Sequence, residues 1–154
     1  MRRFAFSIPS HAARDPLTGL FDRRSVFDAL DSDEMPAIGL GAAVVIDLDR
    51  FSHVNHSLGY GAGDTVLRTI ALRLMARLRV TDQVARLGSD EFLILLAAPV
   101  NVHSATEVAG RLIEYLALPI RIGDQEVVVT ASAGVSMRDE QDRDPEDLVR
   151  RAAS

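Results

Sequence analysis

The chain has 154 residues, of which 47% are hydrophobic and 25% are charged, and these proportions are typical of a folded globular domain rather than a disordered chain. It contains no cysteine, which excludes a disulfide framework and cysteine-based zinc sites. The net charge of −5 argues against nucleic acid as a partner, and the longest apolar runs are too short to cross a bilayer. We therefore expect one cytoplasmic domain without a membrane segment.

The apolar periodicity predicts that helices alternate with strands along the chain. Residues 1–14 are interpreted as a linker or the tail of an upstream helix, and residues 15–154 as the domain. Helices are expected over 22–30, 51–58, 63–78, 104–118 and from 144 onward, and strands over 42–48, 84–87, 92–97, 120–122 and 126–137. This order predicts an α/β fold, an α+β sandwich in which helices cover a mixed sheet of about five strands.

Residues 86–92 read Arg-Leu-Gly-Ser-Asp-Glu-Phe and join two apolar strands. The pattern predicts a β-hairpin whose turn presents Asp90 and Glu91. Glycine lets a ligand approach the backbone closely, and adjacent carboxylates can hold a divalent ion. A solvated polar turn is the alternative when the hairpin is considered alone.

Asp47 lies at the end of the continuous apolar strand that begins at Ala42. If this strand neighbours the hairpin, Asp47 converges with Asp90 and Glu91, and a cation between them would relieve their repulsion. Carboxylate oxygens without histidine or cysteine select Mg²⁺ or Mn²⁺, which complete their shells with water and substrate phosphates. The pattern favours phosphoryl or nucleotidyl transfer. The alternative for Asp47 alone is a cap on the turn that follows the strand.

Asn55 and Asp64 flank a loop with three glycines in five residues, where a flat ligand can approach the backbone. A carboxylate and an amide together match the hydrogen-bonding edge of guanine. The alternative for Asp64 is an ordinary N-cap of the following helix.

Arg79 and Asp82 follow the long predicted helix, and Arg111 lies on the next one. The functional interpretation is a second anion site, in which Arg79 contacts a phosphate or a guanine and Asp82 the opposite guanine edge. The alternative is a surface ion pair near a helix end, which is common and contributes little stability.

Several of these motifs, in this order, resemble the GGDEF domain of diguanylate cyclases. The resemblance runs from about Ala12 to the last residue. The motif sequences are most similar to those of GGDEF domains that precede an EAL phosphodiesterase domain. The matching segments are 15–20 (Asp-Pro-Leu-Thr-Gly-Leu), 47–51 (Asp-Leu-Asp-Arg-Phe), Asn55, Gly59, 63–64 (Gly-Asp), 86–92, 131–136 (Ala-Ser-Ala-Gly-Val-Ser) and 147–152 (Asp-Leu-Val-Arg-Arg-Ala).

The resemblance implies the sandwich shared with nucleotidyl cyclases and polymerase palms. It also implies an activity: two GTP-loaded domains meet as a homodimer and condense two GTP into cyclic di-GMP and two pyrophosphates. Fusion to a sensor domain, an EAL domain or both is expected in the full protein.

The resemblance also assigns roles to residues. The catalytic acids would be Asp47, Asp90 and Glu91, with Mg²⁺ or Mn²⁺ held by Asp47, the Leu48 carbonyl and Asp90. GTP would contact Asn55 and Asp64 through guanine, and Arg50, Phe51, Gly88, Ser89 and Arg150 through or beside its phosphates. Arg79, Asp82 and Arg111 would form the inhibitory product site.

The sequence departs from the family pattern at four positions. Ser89 replaces the second signature glycine, Ser52 replaces a lysine expected near the triphosphate, and His56 and Tyr60 replace an aspartate and a histidine. The chain also ends before the last helix and strand of the family are complete. These departures leave two functions open, a cyclase that is slowed or a domain that binds GTP or cyclic di-GMP to regulate an attached domain.

Overall fold

A computed structural model describes residues 6–32, 39–139 and 144–154. Five helices and six strands are defined in these ranges. The helices are α1 (Arg23–Asp31), α2 (Phe51–Leu58), α3 (Tyr60–Arg77), α4 (Val102–Leu116) and α5 (Pro145–Ala153). The strands are β1 (Leu40–Leu48), β2 (Gln83–Arg86), β3 (Glu91–Ala97), β4 (Ile120–Ile122), β5 (Gln125–Val127) and β6 (Ala131–Met137). Within the described ranges, no helix combines the length and the apolar character that a membrane span requires.

The main sheet has four strands in the order β2-β3-β1-β6, and all three of its strand pairs are antiparallel. The predicted fold class is confirmed, but the sheet is antiparallel rather than mixed, and it is smaller than expected. The reason is that the strand predicted over 126–137 is interrupted at residues 128–130. Its first part, β5, pairs with β4 in a separate two-stranded ribbon, so neither joins the main sheet.

Helices cover both faces of this sheet, which explains the uninterrupted apolar run of β1. Val44 and Ile46 face a core shared with α3 and α4, whereas Ala43 and Val45 face a second core shared with α1 and α5. Alternate side chains of a strand point to opposite faces, so a strand buried on both sides is apolar throughout. The central position of β1 holds its end, and therefore Asp47, in a fixed place.

Capping residues set the helix boundaries, and one predicted helix start is wrong. Asp22 caps α1 and Asp144 caps α5, both through their side chains and close to the helix starts that the sequence predicts. Helix α4 starts two residues before the predicted Ser104, because the side chain of Asn101 accepts a hydrogen bond from the Ser104 N–H. Asparagine is as good an N-cap as serine. Glu107, one turn further along, forms ion pairs with His103 and Arg111.

The segment before the predicted domain packs onto it from residue 6 onward. Phe6 and Ile8 are buried in the core shared with α1 and α5. The Ile8 N–H also donates to the side-chain oxygen of Gln83, at 3.1 Å, on the edge strand β2. Residues 6–8 are thus part of the packed unit rather than a linker, while residues 1–5 lie outside the described ranges.

Helix α5 packs closely on β6 at Gly134. A Cβ atom at this position would overlap the Ala152 carbonyl oxygen. Two residues further along the strand, the Ser136 hydroxyl donates to the Leu148 carbonyl and fixes the same contact. The backbone of β6 and the backbone of α5 therefore touch without a side chain between them.

We expect Gly134→Ala to lower the free energy of unfolding by about 1–3 kcal/mol, because the added methyl group pushes α5 away from the sheet. Urea denaturation followed by circular dichroism measures the change. Gly110→Ala is the matched control: Gly110 lies in α4 with open space around it, and alanine favours a helix by about 0.5–1 kcal/mol. Equal effects of the two substitutions would contradict the close α5–β6 contact.

Candidate active site

The register of β1 and β3 brings the predicted acids together. Asp47 lies directly opposite Glu91 in the antiparallel ladder. One residue further, the Leu48 N–H donates to the Asp90 carbonyl at 3.0 Å. Opposite residues in such a ladder have Cβ atoms about 4.5–5.5 Å apart. Asp47, Leu48, Asp90 and Glu91 thus form one cluster at the end of the central strands, which we call the acidic cluster.

The carboxyl groups of the acidic cluster repel one another. Burial raises the pKa of Glu91, and the charge of Asp47 and a hydrogen bond between the two carboxyl groups raise it further. Asp90 adds to the repulsion, while the Arg23 guanidinium opposes it. A shared proton or a cation relieves such repulsion. The donors are hard oxygens, so the residues present fit a divalent ion of the magnesium type.

The loop between β2 and β3, residues 87–90, is held by two sets of hydrogen bonds. The N–H groups of Leu87 and Gly88 both donate to the Glu91 carbonyl, at 2.8 and 3.3 Å. The Arg86 guanidinium donates to the carbonyls of Gly88 (3.0 Å) and Ser89 (2.9 Å). Ser89 does not adopt a left-handed conformation, so its side chain brings no backbone strain of the kind that would require glycine.

Arg86 also ties this loop to the turn at residues 15–20. Its third nitrogen, Nη1, donates to both carboxylate oxygens of Asp15, at 3.1 and 3.2 Å. Asp15 in turn accepts hydrogen bonds from the Thr18 amide and hydroxyl. Burial alone would raise the pKa of Asp15, but the bonds from Thr18 and Arg86 outweigh it and hold the pKa below its ordinary value.

The junction between β1 and α2 has an unusual backbone. Arg50 has φ of 54°, the left-handed region, and no side chain caps the start of α2. Asp49 holds the junction in place, because its two carboxylate oxygens accept hydrogen bonds from the hydroxyls of Thr130 and Ser132, both at 2.9 Å. Phe51 is buried and anchors the other side. The start of α2 is therefore fixed next to the acidic cluster.

Asn55 and Asp64 lie on neighbouring turns of α2 and α3. The two helices meet at Gly59, whose φ of 90° turns the chain sharply, and its N–H donates to the Asn55 carbonyl. A Cβ on Gly63 would overlap the side-chain amide of Asn55, so Gly63 is what allows Asn55 to approach α3. Asp64 is adjacent to this contact, and both polar side chains are half-buried.

The expected start of α3 at Gly63 is wrong. Helix α3 begins at Tyr60, directly after Gly59, so Asp64 lies inside the helix and does not cap it. The cause is that Gly61 and Gly63 are accommodated as helical residues, although glycine is a poor helix former. The structural alternative for Asp64, an N-cap, is thereby removed.

Arg150 lies on the exposed face of α5, where it forms an ion pair with Asp147 one turn earlier. The hydrogen bond that Arg150 donates to the Asp147 carboxylate, together with the charge of Asp147, raises the pKa of Arg150. Helix α5 packs against β6 and β1. The structure gives no direct contact between Arg150 and the acidic cluster, and its role toward phosphate stays a prediction.

Arg79 and Asp82 form a tight local unit. The Asp82 carboxylate, whose side chain is only 3% exposed, accepts from the Arg79 N–H, from the Arg79 guanidinium and from the Ala97 N–H. Arg111 lies elsewhere, in a cavity of about 440 Å³ between α3 and α4 that Arg77 and Tyr115 also line. The Arg77 guanidinium stacks 4.0 Å from the centre of the Tyr115 ring. Arg79 and Asp82 line a different pocket, which Arg111 does not line, and the role of Arg111 in a product site stays a prediction.

Comparison with known proteins identifies the family of this chain. Residues 12–154 match the family model described as "Diguanylate cyclase, GGDEF domain". The chain belongs to the GGDEF family.

Individual relatives of this GGDEF domain include a protein named as a diguanylate cyclase and two solved structures. Diguanylate cyclase TpbB of Pseudomonas aeruginosa is 37% identical over 152 residues, covering 93% of this chain but 34% of TpbB. The solved GGDEF domain of that protein superimposes with a TM-score of 0.81 at 36% identity, covering 92% of this chain and 84% of the solved one. A sensory box/GGDEF family protein from Caulobacter crescentus gives a TM-score of 0.80 at 39% identity, covering 92% and 94%. The chain thus spans about a third of TpbB.

Sequence reasoning missed the residues that hold the GGDEF signature loop. Arg86 and Asp15 each lie in a segment that matches the family pattern, but the pattern gives neither residue a role. Their contact joins residues 71 positions apart, and neither position carries a pattern that predicts its partner. Asp49 likewise lies in a matching segment to which the sequence gives no separate role. In the structure it fixes the strand–helix junction through Thr130 and Ser132.

We expect Asp15→Asn to lower the free energy of unfolding by about 1–3 kcal/mol at pH 7, because charged hydrogen bonds to Arg86 and Thr18 are lost. The pKa of Asp15 in the fold lies below 3.8, so the ionised carboxylate stabilises the fold above about pH 4. This contribution disappears as the pH falls through the lowered pKa. Denaturation curves from pH 7 to pH 2.5 should therefore show the two proteins converging.

Asp28→Asn is the control for this experiment, because Asp28 forms an exposed ion pair with Arg24 at 3.7 Å. Such pairs contribute about 0–1 kcal/mol. A stability difference between Asp15→Asn and the parent that is the same at every pH would contradict the assigned role of the carboxylate.

Proposed function

We propose that this GGDEF domain is a diguanylate cyclase that condenses two GTP into cyclic di-GMP with release of two pyrophosphates. The observation that carries the proposal is the acidic cluster, in which Asp47 and Glu91 stand opposite each other and Asp90 adjoins Leu48. The similarity of this chain to diguanylate cyclase TpbB, at 37% identity, also supports the proposal.

GGDEF cyclases use a divalent metal, and we propose Mg²⁺ or Mn²⁺ held by Asp47, the Leu48 carbonyl and Asp90, with Glu91 assisting. When bound, such an ion polarises phosphoryl oxygens and neutralises their charge. The protein contributes a rigid set of oxygens, because β1 is fixed between two strands and the loop carrying Asp90 is held by Arg86. Rigid placement is what makes these ligands effective.

GTP would lie between the acidic cluster and the contact of α2 with α3. The half-buried Asn55 and Asp64 offer an amide and a carboxylate that match the edge of guanine. The phosphates would meet the Arg50 and Phe51 amides at the uncapped start of α2, where the helix dipole favours an anion. The loop residues Gly88 and Ser89 would lie beside the phosphates, and Arg150 would reach them from α5. Ser52 offers no positive charge here.

The chemistry needs two such domains. Each domain would hold its GTP so that the ribose 3′-hydroxyl faces the α-phosphate of the GTP on the partner copy, and a homodimer is therefore part of the proposal. Holding both reactants in line supplies much of the rate enhancement, because the entropy cost is met on binding. A cytoplasmic location, and fusion to a sensor or an EAL domain, belong to the same proposal.

We expect Asp47→Asn to reduce the rate of cyclic di-GMP formation by at least about 10²-fold, because one negative ligand of the proposed metal is lost. The product is measured by mass spectrometry after incubation with GTP and Mg²⁺ or Mn²⁺. Asp28→Asn is the matched control, since Asp28 lies on α1 and its carboxylate forms an exposed ion pair with Arg24. This variant should keep most of the activity.

Absence of product from the full-length parent protein at high concentration would contradict the cyclase proposal. If nucleotide still bound in that case, the domain would be a regulatory binding module, the other function that Ser52 and Ser89 left open. Equal activity of Asp47→Asn and the parent would contradict the metal assignment.

We expect Ser89→Gly to change the rate of product formation by less than about tenfold, and to change stability by about 1 kcal/mol or less. The reason is that Ser89 is exposed and its backbone lies outside the left-handed region, so a Cβ is accommodated without strain. The same assay and urea denaturation measure both quantities. A rise in rate of a hundredfold or more would show instead that the serine side chain obstructs the substrate.

A further inference from the structure

A second pocket lies beside Arg79 and Asp82, away from the acidic cluster. Its volume is about 220 Å³, and it is lined partly by Arg14, Phe21, Met75, Arg79, Val80 and Asp82. It combines cationic groups with an apolar wall that includes the exposed side chains of Met75 and Val80. A ligand with both a flat apolar surface and a negative charge would match this lining.

The two residues that the sequence suggested for this pocket are partly occupied by each other. The Asp82 carboxylate accepts four hydrogen bonds, three of them from Arg79 and one from the Ala97 N–H. A carboxylate has about four lone-pair sites, so Asp82 has no spare acceptor capacity in this arrangement. Asp82 positions Arg79 and neutralises part of its charge.

Arg14 is the cation in this pocket that no carboxylate neutralises. Its guanidinium stacks 4.1 Å from the centre of the Phe21 ring, and Nη1 donates to the Gly19 carbonyl at 3.0 Å. Among the residues that the structure describes, Arg14 has no acidic partner. A guanidinium has five N–H donors in a planar fork, so several remain for a ligand.

The position of Arg14 is also fixed in advance. Its backbone forms a bridge with Phe21, and the next residue, Asp15, donates its N–H to the Leu20 carbonyl at 2.7 Å. The Asp15 carboxylate is itself held by Arg86 and Thr18. A cation whose backbone and ring contact are already ordered loses less entropy when it binds an anion.

We propose that Arg14 is a ligand-binding residue of the inhibitory product site, and that it binds a phosphate of cyclic di-GMP beside Arg79. This rests on the proposed function, which supplies the product. The pocket is smaller than the roughly 300–1,000 Å³ that enclose a drug-sized ligand. It therefore receives one nucleotide half, with the base against Met75 and Val80 and the phosphate between the two arginines.

The test is calorimetric titration of cyclic di-GMP into the full-length protein and its Arg14→Ala, Arg79→Ala and Arg24→Ala variants. We expect Arg14→Ala to raise the Kd at least about tenfold, and Arg79→Ala to do the same, because each removes a charged phosphate contact. Arg24 is the matched control: it is an exposed arginine that forms an ion pair with Asp28, and its variant should bind as the parent does.

Arg14→Lys separates the planar guanidinium from charge alone. An ammonium group keeps the charge but lacks the bidentate fork and the flat surface that stacks on Phe21. Its Kd should therefore lie between those of the parent and Arg14→Ala. Circular dichroism and urea denaturation of each variant check that the fold is kept.

Two results would overturn the proposal. One is an Arg14→Ala variant that binds cyclic di-GMP as tightly as the parent while Arg79→Ala does not, which would leave Arg14 outside the site. The other is a parent protein that does not bind cyclic di-GMP at all. Product formation from GTP is measured separately and does not require this pocket, so the second result would leave the cyclase proposal standing.

Discussion

The register between β1 and β3 is the constraint on which the rest of the molecule depends. It places Asp47 opposite Glu91, and because β1 is buried on both faces, a slip of one residue would exchange its two sets of core side chains. Such a slip would bury the wrong residues on both sides of the sheet at once. The packing of two cores thus fixes the position of two carboxylates that repel each other.

This arrangement separates the parts of the domain that provide stability from the parts that provide chemistry. The apolar strands and their covering helices gain stability from burial, whereas the acidic cluster holds Glu91, whose pKa is raised by its burial and by the neighbouring charge of Asp47. Natural proteins retain such unfavourable groups where function needs them. The loop that carries Asp90 cannot move away from the repulsion, because Arg86 ties its carbonyls to Asp15. Rigid support of a functional loop is a common solution.

Much of the fold could be predicted from local patterns. Asp22 and Asp144 mark helix starts, and the apolar run from Ala42 marks a strand covered on both faces. The errors occurred where two local signals competed. Asn101 and Ser104 are both good caps, and Gly61 and Gly63 look like a loop although they lie within a helix. Only the surrounding packing decides between such alternatives.

The candidate site could be predicted as a set of residues but not as a geometry. The acids at 47, 90 and 91 follow from motif and spacing, and the strand pairing brings them together as expected. The contacts of Arg86 with Asp15, and of Arg14 with Phe21, depend on how the turn at residues 15–20 lies against β2. Contacts between distant segments of this kind leave no periodic signal in a single sequence.

The burial of Phe6 and Ile8 has a practical consequence for where this domain begins. The family match starts at residue 12, but burying two large apolar side chains stabilises a fold by about 1.5–3 kcal/mol each. Cutting the chain at the family boundary would expose the sheet face that they cover and leave the Gln83 side chain without its backbone partner. The segment that the family model matches and the segment that packs as one folded unit therefore begin at different residues.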